Sequence, residues 1–408
     1  MKRSALLLLI ATVSLAAPSK KEASLHAKAA QVWADHVLYC KGRGLRRDGL
    51  ESYELARALN PAYDKDGAIK SALEALPEGA AGATKRRLKA RAQAAKVYDR
   101  LAKLKVERAD EYRFTAVRLD PSKSRTGRII KAIRAAKTPD EAGRLLTRLQ
   151  AADPERDYAP LELELARDGP VLLRGKDHDI VGWLSLPRGW KKGRSYPVLV
   201  VVDGAGSNFL GAARGCSKQR GKRPWIVLAP CTFANTNALQ PKRYPWYDAA
   251  LLEKMGSDNA GRFKFDADGL LALLESVQER FGGEEKFAIT GFSGGGFLCY
   301  GITLLHPERV RFAVPACANF AGSGAADAGE PKDGGPPIVI YTGEKDPHAI
   351  WTHGKVGGVP GIESQTDRAI AALQAKGFTK VTRTKLPGVG HSSLYPKVWE
   401  TVDRLGPR

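Results

Sequence analysis

One segment constrains the fold of this 408-residue chain more than any other. Phe287-Ala288-Ile289-Thr290 is a short β-rich run, Gly291-Phe292-Ser293-Gly294-Gly295 is a Gly-x-Ser-x-Gly pentapeptide, and Phe297 to Leu305 has the composition of a buried helix. Strand, tight turn and helix in that order hold a serine hydroxyl above the edge of a sheet. The turn is strained, and its flanking positions are glycine because a side chain there would strike the neighbouring strand or helix. With 42 glycines in the chain the pentapeptide alone is weak evidence, and the strand before it and the helix after it give it its weight. Such a turn needs a sheet to stand on, so the expectation is an α/β fold with a mostly parallel sheet flanked by helices.

The rest of the sheet is legible from the same texture. From Val171 onward, short β-rich runs separated by Gly and Pro cover Val171–Arg174, Ile180–Leu186, Val198–Val202, Trp225–Ala229, Phe287–Thr290, Phe312–Ala316, Ile338–Tyr341 and Val381–Leu386. Val198–Val202 is apolar throughout, as a central strand covered on both faces should be. The alternation in the first two runs suits exposed edge strands. Before Asp168-Gly169-Pro170 the texture is helical, with Ala29, Trp33, Val37 and Cys40 recurring at three- and four-residue intervals. The expected organisation is therefore an all-α domain over 21–165 and an α/β domain over 170–408.

Two strand ends supply the chemical partners a serine needs. Ile338–Tyr341 leads into Gly343-Glu344-Lys345-Asp346-Pro347, and Val381–Leu386 into Gly388-Val389-Gly390-His391. The order is nucleophile, acid, base: Ser293 attacks, His391 takes its proton, and Asp346 orients and charge-stabilises the imidazole. Glu344 is the rival acid, whereas His306, His348 and His353 read as surface or pocket residues. Two backbone N–H donors are also needed for the oxyanion of a tetrahedral intermediate. Gly294 follows the nucleophile directly, and the loop Val202-Asp203-Gly204-Ala205-Gly206-Ser207-Asn208 after the third strand offers Ala205 or Gly204 as the second. Tyr244, Trp246, Tyr247 and Trp351 are candidates for a substrate pocket, with ordinary core packing as the alternative for each.

From Val181 onward these blocks, with His306-Pro307-Glu308 after the serine, resemble the secreted esterase and peptidase branch of the α/β-hydrolases, close to polyhydroxybutyrate-depolymerase-like and feruloyl-esterase-like enzymes. The resemblance implies hydrolysis of carboxylic esters through an acyl-serine, without metal or organic cofactor; a serine peptidase of the same fold is the alternative. Asp203-Gly204 stands where such enzymes usually have His-Gly. An acidic side chain aimed at the oxyanion would oppose catalysis, so Asp203 is expected to turn away and bond the loop backbone.

The remaining signals concern partners and compartment. Lys2 and Arg3, the apolar run Ala5–Val13 and the small residues Ser14 to Ala17 read as a cleavable signal peptide over 1–17, and hence a secreted or periplasmic protein. The formal charge of +21 is concentrated in the helical part, where residues 85–148 hold 20 Lys and Arg against 7 Asp and Glu. No aromatic residues interleave with them as a base-stacking platform requires, so nucleic acid is not an expected partner. An anionic envelope surface is, alongside the plain reading of solvated helix faces. If the serine is inert, an inactive hydrolase scaffold whose helical domain binds an envelope polymer or protein becomes the reading. Leu55-Ala56-Arg57-Ala58-Leu59-Asn60-Pro61 and Thr115 to Pro121 echo each other, and the first is weakly tetratricopeptide-like; an irregular helical bundle is the alternative. Thr138-Pro139-Asp140-Glu141 opens a helix running to about Ala152. The five cysteines form no disulfide framework; Cys216 and Cys231 flank one strand and either pair or stay as buried thiols. The seven His and five Cys never fall at paired metal-ligand spacings.

Overall fold

In a computed structural model of the chain, residues 18–77, 84–104, 109–236, 238–349 and 361–407 are described, so the proposed leader over 1–17, His353 and Trp351 lie outside the described residues. The chain divides into two compact units. One takes in residues up to Ala135 together with Arg148–Arg156, and the other Ala136–Thr147 together with Asp157–Arg408.

The first unit is built from helices α1 (Lys20–Gly42), α2 (Arg46–Leu59), α3 (Ala68–Glu74), α4 (Thr84–Leu101), α5 (Ala109–Leu119) and α6 (Lys123–Arg134), with the last turns of α7 (Pro139–Ala152). On α1 the residues Leu25, Ala29, Trp33, Val37 and Cys40 are all buried, the stripe that a 3.6-residue period places on one face. Leu25, Ala29 and Trp33 close on Leu55 and Ala56 of α2, on Ala94, Tyr98 and Leu101 of α4, and on Ala116 of α5. The α2 and α5 helices stop where Pro61 and Pro121 follow, because a residue before proline is pushed out of helical geometry. Thr138 caps α7 through its Oγ1, which accepts the Glu141 N–H at 3.2 Å. Several of the basic side chains are paired within the unit: Arg125 bonds Asp99 at 2.9 Å and also pairs with Asp120, and Arg87 bonds Asp48 at 2.9 Å.

The second unit is an eight-stranded sheet in the order β1-β2-β4-β3-β5-β6-β7-β8. Its strands are β1 (Val171–Arg174), β2 (Val181–Ser185), β3 (Tyr196–Val202), β4 (Ile226–Pro230), β5 (Gly283–Ser293), β6 (Val310–Ala318), β7 (Ile338–Gly343) and β8 (Val381–Leu386). Only β2 runs antiparallel to its neighbours; β3 to β8 are parallel. Parallel strands require crossovers, and these carry the helices α9 (Phe209–Gln219), α10 (Ala249–Ser257), α11 (Asn259–Phe281), α12 (Gly296–Leu305) and α13 (Ile362–Ala375), while α8 (Ala159–Asp168) leads into β1 and α14 (Tyr395–Leu405) follows β8. Alternate residues of β3 separate by face. Leu199 and Val201 join Ala212 and Cys216 of α9 and Val398, Trp399 and Val402 of α14 in one apolar cluster.

One expectation changes. β1 and β2 are not exposed edges: Leu172, Leu173, Val181, Trp183 and Leu184 are all buried. The reason is cover on both faces. A methyl at Gly143 of α7 would stand 3.0 Å from Leu172 Cβ, and one at Gly182 would meet Leu273 of α11 from the other side. The half-exposed alternation falls instead on β8, at the opposite edge. Of the two readings of Cys216 and Cys231, the structure has the buried thiols: they lie in separate apolar clusters, and all five cysteines are free and buried.

Candidate active site

The site is assembled at the carboxyl ends of the parallel strands. Ser293 ends β5 with φ +50°, a left-handed conformation that a non-glycine residue adopts only under constraint from its surroundings. The constraint is backbone packing on all sides. A Cβ at Gly291 would lie 2.5 Å from the Gly295 carbonyl oxygen, one at Gly295 2.3 Å from that of Val202, and one at Gly294 2.0 Å from that of Asn235. The Ser293 hydroxyl donates to Asn319 Oδ1 at 3.4 Å, and Asn319 is itself held by Gln365 Oε1 at 3.2 Å.

Asp346 stands in the turn after β7 and His391 in the loop after β8, with His391 Nδ1 and Asp346 Oδ2 2.8 Å apart. A carboxylate only accepts, so Nδ1 carries the proton and the Nε2 lone pair is left for chemistry. Asp346 is almost fully buried, and its other oxygen accepts the His348 N–H at 2.8 Å. Both oxygens are thereby engaged, and the carboxylate is fixed. Glu344 is spoken for elsewhere: exposed, it accepts the Gly388 N–H at 2.8 Å and ties the acid turn to the histidine loop. His391 is packed between the rings of Phe292 and His348, each with centroids 4.7 Å away. His306 ends α12 and lies 3.6 Å from Glu308.

The glycine-rich loop after β3 lies directly on the serine: a Cβ at Gly204 would be 3.1 Å from Ser293 Cβ. Ala205 N is 3.4 Å from the Cβ position of Gly294, which brings the N–H groups of Ala205 and Gly294 to the same corner. The Asp203 carboxylate accepts the Asn208 N–H at 2.6 Å and also bonds the Gly204 N–H, while burial pushes its pKa up. Asp203 is thus part of the loop's own framework.

Of the aromatic candidates, Tyr244 and Tyr247 are buried in the cluster around Phe233 and Trp183, where Trp246 packs half-buried. The Tyr247 hydroxyl donates to the Cys231 carbonyl at 2.7 Å, and the Tyr244 hydroxyl meets Ser207 Oγ at 3.0 Å and the Thr232 carbonyl at 3.1 Å. They pack beneath the glycine-rich loop and support it, and do not line an open cleft. Sequence reading missed Cys317, Asn319 and Asn235, which bear on the site from strand ends and loops that carry no motif. Cys317 Sγ, Asp346 and His391 present donor atoms within 4.8 Å of one another. A metal there would have to displace the proton that joins His391 to Asp346 and ionise a thiol that burial pushes up, so this group does not fit a resident ion.

No protein-family model and no curated protein matches the chain. Among solved structures it is similar to a thermostable esterase at 20% identity, covering 59% of this chain and 63% of that one with a TM-score of 0.40. It is also similar to poly(aspartic acid) hydrolase-1 from Sphingomonas sp. KT-1, at 18% identity over 57% and 96% of the two chains, TM-score 0.41. A third is an acylaminoacyl peptidase from Pyrococcus horikoshii, at 15% identity over 61% and 44%, TM-score 0.39. The strand order 1-2-4-3-5-6-7-8 with β2 reversed, a left-handed serine closing β5, and an aspartate and a histidine following β7 and β8 are the arrangement of the α/β-hydrolase fold.

Proposed function

We propose that the chain is a serine hydrolase that cleaves carboxylic esters. The observation that carries this reading is the bond between His391 and the buried Asp346 at 2.8 Å, set in the segments after β8 and β7 beside a serine whose backbone is held left-handed. In the first step Ser293 Oγ bonds to the acyl carbon and its proton passes to His391 Nε2. Asp346 stabilises the imidazolium that results. The carbonyl oxygen becomes an oxyanion facing the N–H groups of Gly294 and Ala205. Collapse breaks the ester bond, and the leaving alkoxide takes the proton from His391. Water then adds to the acyl-serine, giving up a proton to His391, and the acid departs as the serine recovers its hydrogen. In the resting state the hydroxyl is turned to Asn319, so it must leave that acceptor for His391 before the first step.

The residues invoked stand at the end of β5 and in the segments that follow β3, β7 and β8, and none of the steps needs a cofactor. Export by a leader over 1–17 belongs to the same proposal, as does an anionic surface as the target of the basic helical unit. The test is fluorophosphonate labelling of wild type beside Ser293→Ala, followed by turnover of p-nitrophenyl acetate and butyrate against peptide anilides. Labelling that disappears in Ser293→Ala, with ester turnover, supports the proposal. Anilide turnover above ester turnover would make it a peptidase, and a folded protein that does not label would be a binding scaffold.

A further inference from the structure

Behind the glycine-rich loop lies a buried polar network that the steps above do not use. Asn235 is buried in the turn that follows β4, and its side-chain amide points at the loop. Nδ2 donates to the Gly204 carbonyl at 2.7 Å and reaches the Asp203 carbonyl at 3.4 Å and Ser207 Oγ at 3.3 Å. The opposite oxygen, Oδ1, lies 3.4 Å from the Tyr244 hydroxyl, whose single proton it shares with the closer Thr232 carbonyl at 3.1 Å. With two carbonyls on one side and a hydroxyl on the other, the amide has one satisfactory orientation. The backbone of Asn235 is fixed as well. The two preceding N–H groups, of Phe233 and Ala234, bond the buried carboxyl of Asp266 at 2.9 and 2.7 Å. Its own carbonyl oxygen occupies the space where a side chain on Gly294 would be.

The Gly204 carbonyl and the Ala205 N–H belong to one planar trans peptide and therefore point in opposite directions. Whatever holds the carbonyl aims the N–H. We propose that Asn235 is the positioning residue of the oxyanion hole: by gripping the Gly204 carbonyl from behind it turns the Ala205 N–H into the site, and its backbone sets the distance to Gly294. This rests on the serine-hydrolase reading and adds to it a residue that touches no substrate. Without the grip, the Gly204 carbonyl keeps the Ser207 N–H, 3.0 Å away within the same loop, as its remaining restraint, and rotation of the Gly204–Ala205 peptide puts a carbonyl oxygen where the oxyanion must form. That is electrostatically the reverse of what the transition state needs. Tyr244 is the weaker member of the network, since its hydroxyl bears on Ser207 and on Asn235 Oδ1.

The experiment compares wild type, Asn235→Ala, Tyr244→Phe and Ser293→Ala by fluorophosphonate labelling, recording both the final stoichiometry and the rate per labelled site, and by steady-state turnover of p-nitrophenyl acetate. For Asn235→Ala the stoichiometry should stay near one per chain while the labelling rate and kcat fall by about 100-fold, the size of losing one oxyanion donor, with KM changed little. Tyr244→Phe, which keeps the ring in its core, should fall by roughly three- to tenfold. A purely structural role would show as lost stoichiometry with an unchanged rate per site, and that result, or an unchanged rate in Asn235→Ala, overturns the assignment while leaving the hydrolase reading intact. Labelling that survives in Ser293→Ala, or wild type that does not label, overturns both.

Discussion

Asp266 offers a test of the electrostatics beneath the site that needs no substrate. Its side chain is fully buried on α11, bonded to the Phe233 and Ala234 N–H groups, and desolvation raises its pKa from 3.8 to about 7. Those two N–H donors and the Arg262 guanidinium oppose the rise without cancelling it. Cys231, Tyr244 and Tyr247, the other ionisable groups coupled to it, are pushed upward by burial and stay neutral over the relevant range. Between about pH 4 and pH 7 the folded chain keeps a proton on Asp266 that the unfolded chain releases. The native state therefore binds more protons in that window, and the contribution of Asp266 to stability is complete below pH 4 and is lost as pH rises through 7. At 1.36 kcal/mol per pH unit, a rise of that size corresponds to about 4 kcal/mol. Asp266→Asn keeps the shape and removes the ionisation. Urea unfolding of both proteins at half-unit steps from pH 4 to pH 8 should show the wild type losing about 4 kcal/mol relative to the variant, with most of the loss between pH 5 and 7. A difference between the two that stays flat across that range would refute the argument, because it would mean the buried carboxyl ionises at the same pH folded and unfolded.

Other expectations follow from single contacts. Asp346→Asn should lower kcat by about 10⁴-fold while leaving the fold intact, because the amide can present its NH2 to Nδ1 and so favour the wrong imidazole tautomer; p-nitrophenyl acetate kinetics and a melting curve check it. Asp203→Ala should cost about 1 kcal/mol of stability, from the lost bond to the Asn208 N–H at the start of α9, and should retain turnover; a large gain in kcat would mean the carboxylate had faced the oxyanion. The native protein should react with a thiol reagent such as dithionitrobenzoate over hours, and after denaturation rapidly at all five cysteines, because every thiol is buried and the shifts at Cys40, Cys216, Cys231, Cys299 and Cys317 are all upward.

How far the sequence carries depends on whether a feature is local. The elbow was readable because strand, glycines and helix adjoin in the chain, and the acid and base because each closes a strand run that composition marks. β3 was readable because a strand covered on both faces must be apolar at consecutive positions. β1 and β2 misled for a matching reason: Gly175, Gly182 and Arg174 give them the look of half-exposed strands, yet the glycines are there to admit Ile180 and Leu273 at close range. Tyr244 and Tyr247 carry polar tips that suggest a binding surface, and only their partners, the Thr232 and Cys231 carbonyls, show that the tips are satisfied in the core. Asn235 was invisible because its function lies in which carbonyl it reaches across 31 residues of chain, and spacing carries no such information.

The strain at the nucleophile has a counterpart on the next strand. Phe292 pairs with Ala316, but Ser293 pairs with Ala318, so Cys317 is the extra residue of a bulge, and it too is left-handed, at φ +44°. Each such residue costs about 1–3 kcal/mol and would relax if its neighbours allowed. They do not, because each conformation is the condition of the other. The Ser293 carbonyl accepts the Asn319 N–H at 2.8 Å, and this bond forms only if β6 has gained its extra residue before Asn319. The bulge in turn brings the Asn319 carbonyl to within 2.4 Å of where a Cβ on Gly296 would stand, so α12 begins on it only because that residue is glycine. The bulged residue is also the one whose sulfur lies 3.9 Å from the Gly390 carbonyl, beside the Asp346–His391 pair. One register slip between β5 and β6 therefore sets the serine, the amide that receives its hydroxyl, and the wall behind the acid and base. That makes the relative placement of the three residues a property of the sheet and leaves little of it to the loops.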